Sequence, residues 1–209
     1  MGRTSEAREQ LIAAAAEELW RGSYGSVGVG DLCRAAGVKR GSFYHFFDSK
    51  DDLVLAALEY SWERLRARFE ATVGDDSLPP LQRLPGLFEA IAATHEGFQE
   101  ETGRVPGCPF GNLGVELGNS RPVIQERVGD IFRRAQAHLE KLLVEAREAG
   151  ELEADGGEIE RRAEQIFGCL QGAQVLAKTH GDPEAIRRMA PVALAIARGA
   201  GESAGVPEA

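Results

Sequence analysis

Tyr24 to Lys50 reads YGSVGVGDLCRAAGVKRGSFYHFFDSK, and its glycines decide the fold of the N-terminal part. Gly37 separates two short stretches of helical composition, about Val29–Ala36 and Lys39–Phe46. Glycine takes the left-handed conformation of a sharp inter-helix turn without steric cost. Gly28 is a permissive N-cap for the first stretch, and Asp31 falls in its first turn, where a carboxylate suits the positive end of the helix dipole. The second stretch presents Lys39, Arg40, Ser42, Tyr44 and His45 as hydrogen-bond donors around Gly41, whose missing side chain permits close approach to another backbone. Phe43, Phe46 and Phe47, at near-helical spacing, read as the core of a small head rather than as stacking platforms.

Outward from this segment the helical period continues in both directions. Upstream, residues 4–21 place Leu11, Ala15 and Leu19 on one stripe with Ile12, Ala16 and Trp20 beside it, and Gly22-Ser23-Tyr24-Gly25 ends the pattern. Downstream, Ser49 and Asp52 form an S-x-x-D capping box for a long fourth helix through Leu53, Ala57, Trp62 and Phe69, up to the Gly74–Pro80 break. The spacing predicts further helices at about 80–100, 109–117, 121–149, 158–179 and 182–200, with Gly150 as a stop signal and Asp182-Pro183-Glu184 as an N-cap, N1 proline and acidic first turn. No alternating strand pattern and no repeat appears, so the expected class is all-α with about nine helices. The expected division is a helix-turn-helix head over 1–48, an effector-binding and dimerisation body over 49–200, and a flexible tail over 201–209.

Composition sets outer limits. With 43% hydrophobic and 27% charged residues in 209, the chain is of ordinary globular make-up. It holds no apolar run of the ~18 residues a membrane span needs and no signal-peptide profile, so a cytoplasmic location without membrane contact is expected. Cys33, Cys108 and Cys169 are widely spaced, with no CxxC pair and no histidine at ligand spacing, which argues against a disulfide framework, a metal site or any cofactor. The net charge of −9 is unevenly spread. Residues 1–50 carry seven Lys/Arg against six Asp/Glu, whereas the remainder carries 17 against 27, so phosphate attraction resides in the head and the body repels it.

The stretch closely resembles the DNA-binding region of the TetR family. The family's apolar-acidic-apolar second helix, its Ala-Ala-Gly-Val turn and its basic-Gly-hydroxyl-apolar-Tyr-His-aromatic-Phe recognition helix are met by Asp31 and Leu32, by Ala35-Ala36-Gly37-Val38, and by Arg40-Gly41-Ser42-Phe43-Tyr44-His45-Phe46-Phe47, followed by Ser49-Lys50. Long donors at the start of a recognition helix are where base edges are read, so Lys39, Arg40 and Ser42 are candidates for base contact. The resemblance implies phosphate contacts from Tyr44, His45 and Lys50, with Lys50 helped by the helix start it occupies. Two departures stand out: Gly28 and Lys39 occupy positions where the family commonly has a Ser or Thr cap. The resemblance also implies double-stranded operator DNA as partner, a homodimer, and a repressor released by a small effector.

Residues 107–128, GCPFGNLGVELGNSRPVIQERV, further resemble the NemR-like subgroup of electrophile-responsive repressors. Cys108 lies at or just before a helix start, where amide dipoles favour thiolate; the alternative is a packed small hydrophobe. Trp62, Phe88, His95, Phe98, Phe110 and Phe132 are aromatic or amphipathic positions of the body that suit core packing or a small, largely apolar effector. Small residues in the last two helices, Gly168, Gly172 and Ala173 with Ala190, Ala193 and Ala197, suit close helix pairing within or between subunits. A rival reading as a helical enzyme with Cys108 as nucleophile lacks any base partner selected by spacing among His45, His95, His138 and His180. A constitutive DNA-binding protein without effector would not need so large an acidic body.

Overall fold

The computed structural model describes residues 3–199, so the tail expected over 201–209 lies outside the described residues. Ten helical segments and no strand occur among them: α1 (Arg3–Arg21), α2 (Val29–Ala35), α3 (Arg40–Phe43), α4 (Lys50–Thr72), α5 (Pro80–Thr102), α6 (Pro109–Leu117), α7 (Pro122–Glu148), α8 (Gly156–His180), α9 (Glu184–Arg187) and α10 (Ala190–Ala197). No helix among these residues is long and apolar enough to cross a membrane.

Two differences from the sequence reading have local causes. The helix expected over 39–46 keeps α-helical form only across Arg40–Phe43, and residues 45 and 46 continue it through i→i−3 bonds to Ser42 and Phe43. Lys39 is its N-cap with extended backbone and no side-chain cap, so its first turn lacks the bond that a Ser or Thr would supply. The helix expected over 182–200 divides into α9 and α10. Pro191 has no N–H and falls in the first turn of α10, where a proline begins a helix rather than continuing one. The start also differs from the reading of Asp182 as N-cap and Pro183 as N1: Pro183 is the N-cap of α9, and Asp182, one residue before it, accepts the Glu184 amide on its Oδ1 at 3.0 Å.

The chain forms two compact units, Met1–Leu65 with Cys108–Phe132, and Arg66–Gly107 with Arg133–Ala209. In the first, Leu11, Ala15, Leu32, Phe43, Leu53 and Ile124 are fully buried or nearly so. The predicted capping box of α4 forms: the Ser49 amide donates to Asp52 Oδ2 at 2.9 Å and the Asp52 amide to Ser49 Oγ at 3.2 Å.

In the second unit the core is built from Leu84, Leu87 and Phe88 of α5, Leu139 and Leu142 of α7, and Ile166 and Leu170 of α8. Two buried arginines there are tied down by hydrogen bonds. Arg83 donates to Glu145 at 2.8 Å and to the Leu78 carbonyl at 2.8 Å, and Arg162 donates to the Glu153 and Ala197 carbonyls, closing the C-terminal end of α10. Arg187 ties α9 to α5 through Glu89 and Glu96, whose carboxyls it holds below their ordinary range.

Candidate DNA-binding surface

α2 and α3 are joined by a turn whose geometry follows from Gly37. Its φ is +65°, the Gly37 amide donates to Arg34 and the Val38 amide reaches back to the Cys33 carbonyl at 2.9 Å. These two bonds satisfy carbonyls that the end of α2 would otherwise leave bare, and they reverse the chain within three residues. Upstream, Asp31 Oδ2 accepts the Gly28 amide at 3.1 Å, which supplies half of a capping box although glycine itself has no side chain to cap with. Arg34, exposed on α2, pairs with Asp31 at 3.1 Å.

The two faces of α3 and its continuation differ sharply. Phe43 and Phe47 are buried at 0% and 5% exposure, whereas Tyr44 between them is 58% exposed. The Phe43 and Tyr44 rings meet edge to face at 5.1 Å, and the Arg8 guanidinium lies 5.4 Å from the Phe47 ring centre. Tyr44 is therefore braced by the buried Phe43 ring and otherwise largely exposed. Lys39, Arg40, Gly41 and His45 are exposed and Ser42 is half-buried, so the donors read from the sequence are wholly or partly open to solvent.

Lys50 has a more elaborate setting than a free phosphate ligand. Its ammonium donates to the Tyr24 carbonyl and lies 3.8 Å from the Tyr24 ring centre. Burial pulls its pKa down, opposed by the carboxylates of Glu116 and Asp51. The Tyr24 hydroxyl donates to Asp51 at 2.6 Å, and Arg121 pairs with Asp51 at 3.6 Å. Tyr24, Asp51, Glu116 and Arg121 were not marked by any sequence signal. Glu116 lies 92 positions from Tyr24, and only tertiary structure brings them together.

The proposed effector residues divide between the units. Trp62, Cys108, Phe110 and Phe132 belong to the first and Phe88, His95 and Phe98 to the second. Trp62, Phe88, His95 and Phe110 are buried; Phe98, Cys108 and Phe132 are half-buried. Cys108 is the N-cap of α6, and its Sγ accepts the Gly111 amide at 3.4 Å. Burial raises the thiol pKa of both Cys33 and Cys169. His95 is buried with its Nδ1 2.9 Å from the Ile91 carbonyl, and burial lowers its pKa against the opposing hydrogen bonds to the Ile91 and Gly107 backbone. The small residues of the last helices point two ways. Ala173, Ala193 and Ala197 are fully buried inside the unit, whereas Gly168 and Gly172 are exposed, beside Val175 at 62%, Leu176 at 44% and Val192 at 43% exposure.

A glycine-reversed pair of short helices, with buried phenylalanines beneath and a row of donors above, defines a helix-turn-helix DNA-binding regulator. Residues 11–57 match the family of bacterial regulatory proteins, tetR family, and residues 80–192 match the tetracyclin repressor-like, C-terminal domain. The chain belongs to the TetR family of DNA-binding transcriptional regulators, whose members bind operator DNA and dimerise. It is 36% identical to the transcriptional regulator AcuR of Cereibacter sphaeroides, over 86% of this chain and 80% of that one. The crystal structure of regulatory protein TetR from Rhodobacter sphaeroides superposes with a TM-score of 0.78 at 31% identity, covering 90% of this chain and 97% of that one. The reduced form of Escherichia coli NemR superposes with a TM-score of 0.77 at 21% identity, covering 92% and 95%, which is a likeness of fold.

Proposed function

We propose that the chain is a repressor that grips operator DNA as a homodimer through α3 and is released when a small effector binds its body. The observation that carries this reading is the two-faced segment 39–47, with Phe43 and Phe47 buried and Arg40, Tyr44 and His45 open. Residues 1–48 form the DNA-binding part and 49–200 the effector-binding and dimerisation part. Lys39, Arg40 and Ser42 reach base edges, Gly41 lets the DNA backbone approach, and Tyr44, His45 and Lys50 hold phosphates. The ammonium of Lys50 has three donors, of which the Tyr24 carbonyl takes one.

The dimer surface is the exposed stripe Gly168, Gly172, Val175 and Leu176 of α8, with Val192 of α10. Their spacing of three and four residues places the α8 positions on one face, and the two glycines allow a partner helix to come close. Two helices from each subunit then make a four-helix interface, and the two-fold axis sets the separation of the recognition helices.

The effector is a small, largely apolar or electrophilic molecule; its candidate contacts are Trp62, Phe110 and Phe132 with Cys108 as a sensing thiol in the first unit, and Phe88, His95 and Phe98 in the second. It favours release only by binding the DNA-incompetent state more tightly than the DNA-bound one. The direct test is in vitro selection from random duplexes with the intact chain, followed by binding to the recovered site. A two-fold symmetric site with half-sites about one helical turn apart, or a multiple of it, is expected; recovery of no preferred sequence would overturn the reading.

A further inference from the structure

The Tyr24–Gly25 peptide is held at both edges. Its N–H, on Gly25, donates to Glu116 Oε1 at 2.9 Å, and its carbonyl, on Tyr24, accepts from the Lys50 ammonium. A trans peptide directs N–H and C=O to opposite sides of one rigid plane, so a carboxylate on one edge and an ammonium on the other are linked through a single unit that cannot flex between them. Glu116 Oε2 accepts the preceding amide, that of Tyr24, also at 2.9 Å, so the carboxylate grips two successive donors and fixes the orientation of the plane. The remaining groups of Tyr24 are engaged too: its ring lies beneath the Lys50 ammonium and its hydroxyl donates to Asp51.

We propose that Glu116 is a positioning residue for DNA binding, which acts through the Tyr24–Gly25 peptide to aim the Lys50 ammonium at operator phosphate. The proposal rests on the reading of Lys50 as a phosphate ligand given above. An anion bonded to the N–H polarises the peptide and strengthens its carbonyl as an acceptor. The carbonyl takes one of three ammonium donors, and two remain for phosphate oxygens. A lysine already oriented loses less side-chain freedom on binding than one sampling all its rotamers, so the arrangement raises affinity without Glu116 touching DNA. An acidic side chain, which by charge alone would weaken DNA binding, thus strengthens it.

The test uses the intact chain and the duplex recovered by selection with it. Affinity is measured by fluorescence anisotropy from about 50 to about 300 mM KCl for the wild type, Glu116→Gln, Lys50→Met and the double variant, with urea unfolding of each. Glutamine keeps one oxygen acceptor and loses the charge and the second acceptor. Glu116→Gln is expected to weaken binding about three- to tenfold, as loss of one pre-oriented side chain does. It should also lower the salt slope towards that of Lys50→Met, which is smaller than wild type by about one. In the Lys50→Met background Glu116→Gln should change neither affinity nor slope. Additive losses in the double variant, or a wild-type slope in Glu116→Gln, overturn the proposal and leave Glu116 as a staple of the turn, whatever the unfolding curves show. Wild-type affinity and slope in Lys50→Met overturn the phosphate role of Lys50 and the proposal with it.

Discussion

The Val38 amide donates to the Cys33 carbonyl at 2.9 Å across Gly37, whose φ of +65° makes that bond possible. An added Cβ at Gly37 would meet nothing within 4 Å, so its cost is conformational rather than steric. Gly37→Ala should therefore destabilise the chain by about 1–2 kcal/mol, the penalty for a non-glycine residue in the left-handed region. Urea unfolding measures it. Operator affinity should fall as well, because the same turn sets the angle at which α3 leaves α2; an alanine variant of wild-type stability would show that the turn tolerates another conformation.

The division of small residues between buried and open faces makes the proposed dimer surface testable without ambiguity. Leu176→Glu or Gly172→Arg, both on the open face of α8, should give folded monomers in sedimentation, with helical content retained. Ala173→Arg and Ala193→Arg, at fully buried positions, should instead lower the unfolding midpoint, since each forces a charge into a packed core. A wild-type monomer at micromolar concentration would remove the dimer from the account.

His95 makes stability depend on pH. Burial lowers its pKa from the ordinary 6.5, so the folded state binds the proton less readily than the unfolded chain does. The histidine's stabilising contribution is then fully present above pH 6.5 and declines as pH falls below it, because protons bind preferentially to the unfolded state. His95→Leu should flatten the fall in unfolding free energy as pH drops below 6.5, leaving the part due to His138, whose pKa burial also lowers. An unchanged slope in the leucine variant would mean that His95 is accessible to protons in the folded chain.

Cys108 should react first with a soft electrophile, because burial raises the thiol pKa of Cys33 and Cys169 and thus lowers their thiolate fraction. Brief treatment with sub-stoichiometric iodoacetamide followed by peptide mass spectrometry reads the order of modification. Cys108→Ser, run beside the wild type in a DNA-release assay, separates sensing from packing. Release lost in the serine variant supports a sensing thiol, whereas equal release in both, or an unmodified Cys108, makes it a packing residue.

What could be read from the sequence was what is local. Gly37, the Ser49–Asp52 box and the stop at Gly150 each depend on bonds within a few residues, and each forms where read. The break between α9 and α10 does not show in the apolar period of 182–200, which runs on through Pro191; only the preference of proline for the first turn of a helix marks it. The Tyr24–Glu116 contact was beyond reach for a different reason: nothing in either residue's neighbourhood names a partner 92 positions away. The faces of Ala173 and Gly172 show the same limit, since adjacent small residues on one helix look alike until packing assigns one inward and the other outward.

The central claim is that segment 39–47 reads DNA with its open face, and the pair Arg40→Ala and Tyr44→Phe tests it most directly. Both residues are exposed, and neither change removes a buried side chain, so helical content, unfolding midpoint and sedimentation should match the wild type. Titrating the selected duplex at ~150 mM salt, where phosphate contacts are only partly screened, Arg40→Ala should cost about 1–3 kcal/mol of binding and relax the sequence preference at one position. Tyr44→Phe, which loses only the hydroxyl, should weaken binding less and equally for all sequences. Wild-type affinity and wild-type sequence preference in both variants would contradict the assignment of α3 as the recognition helix.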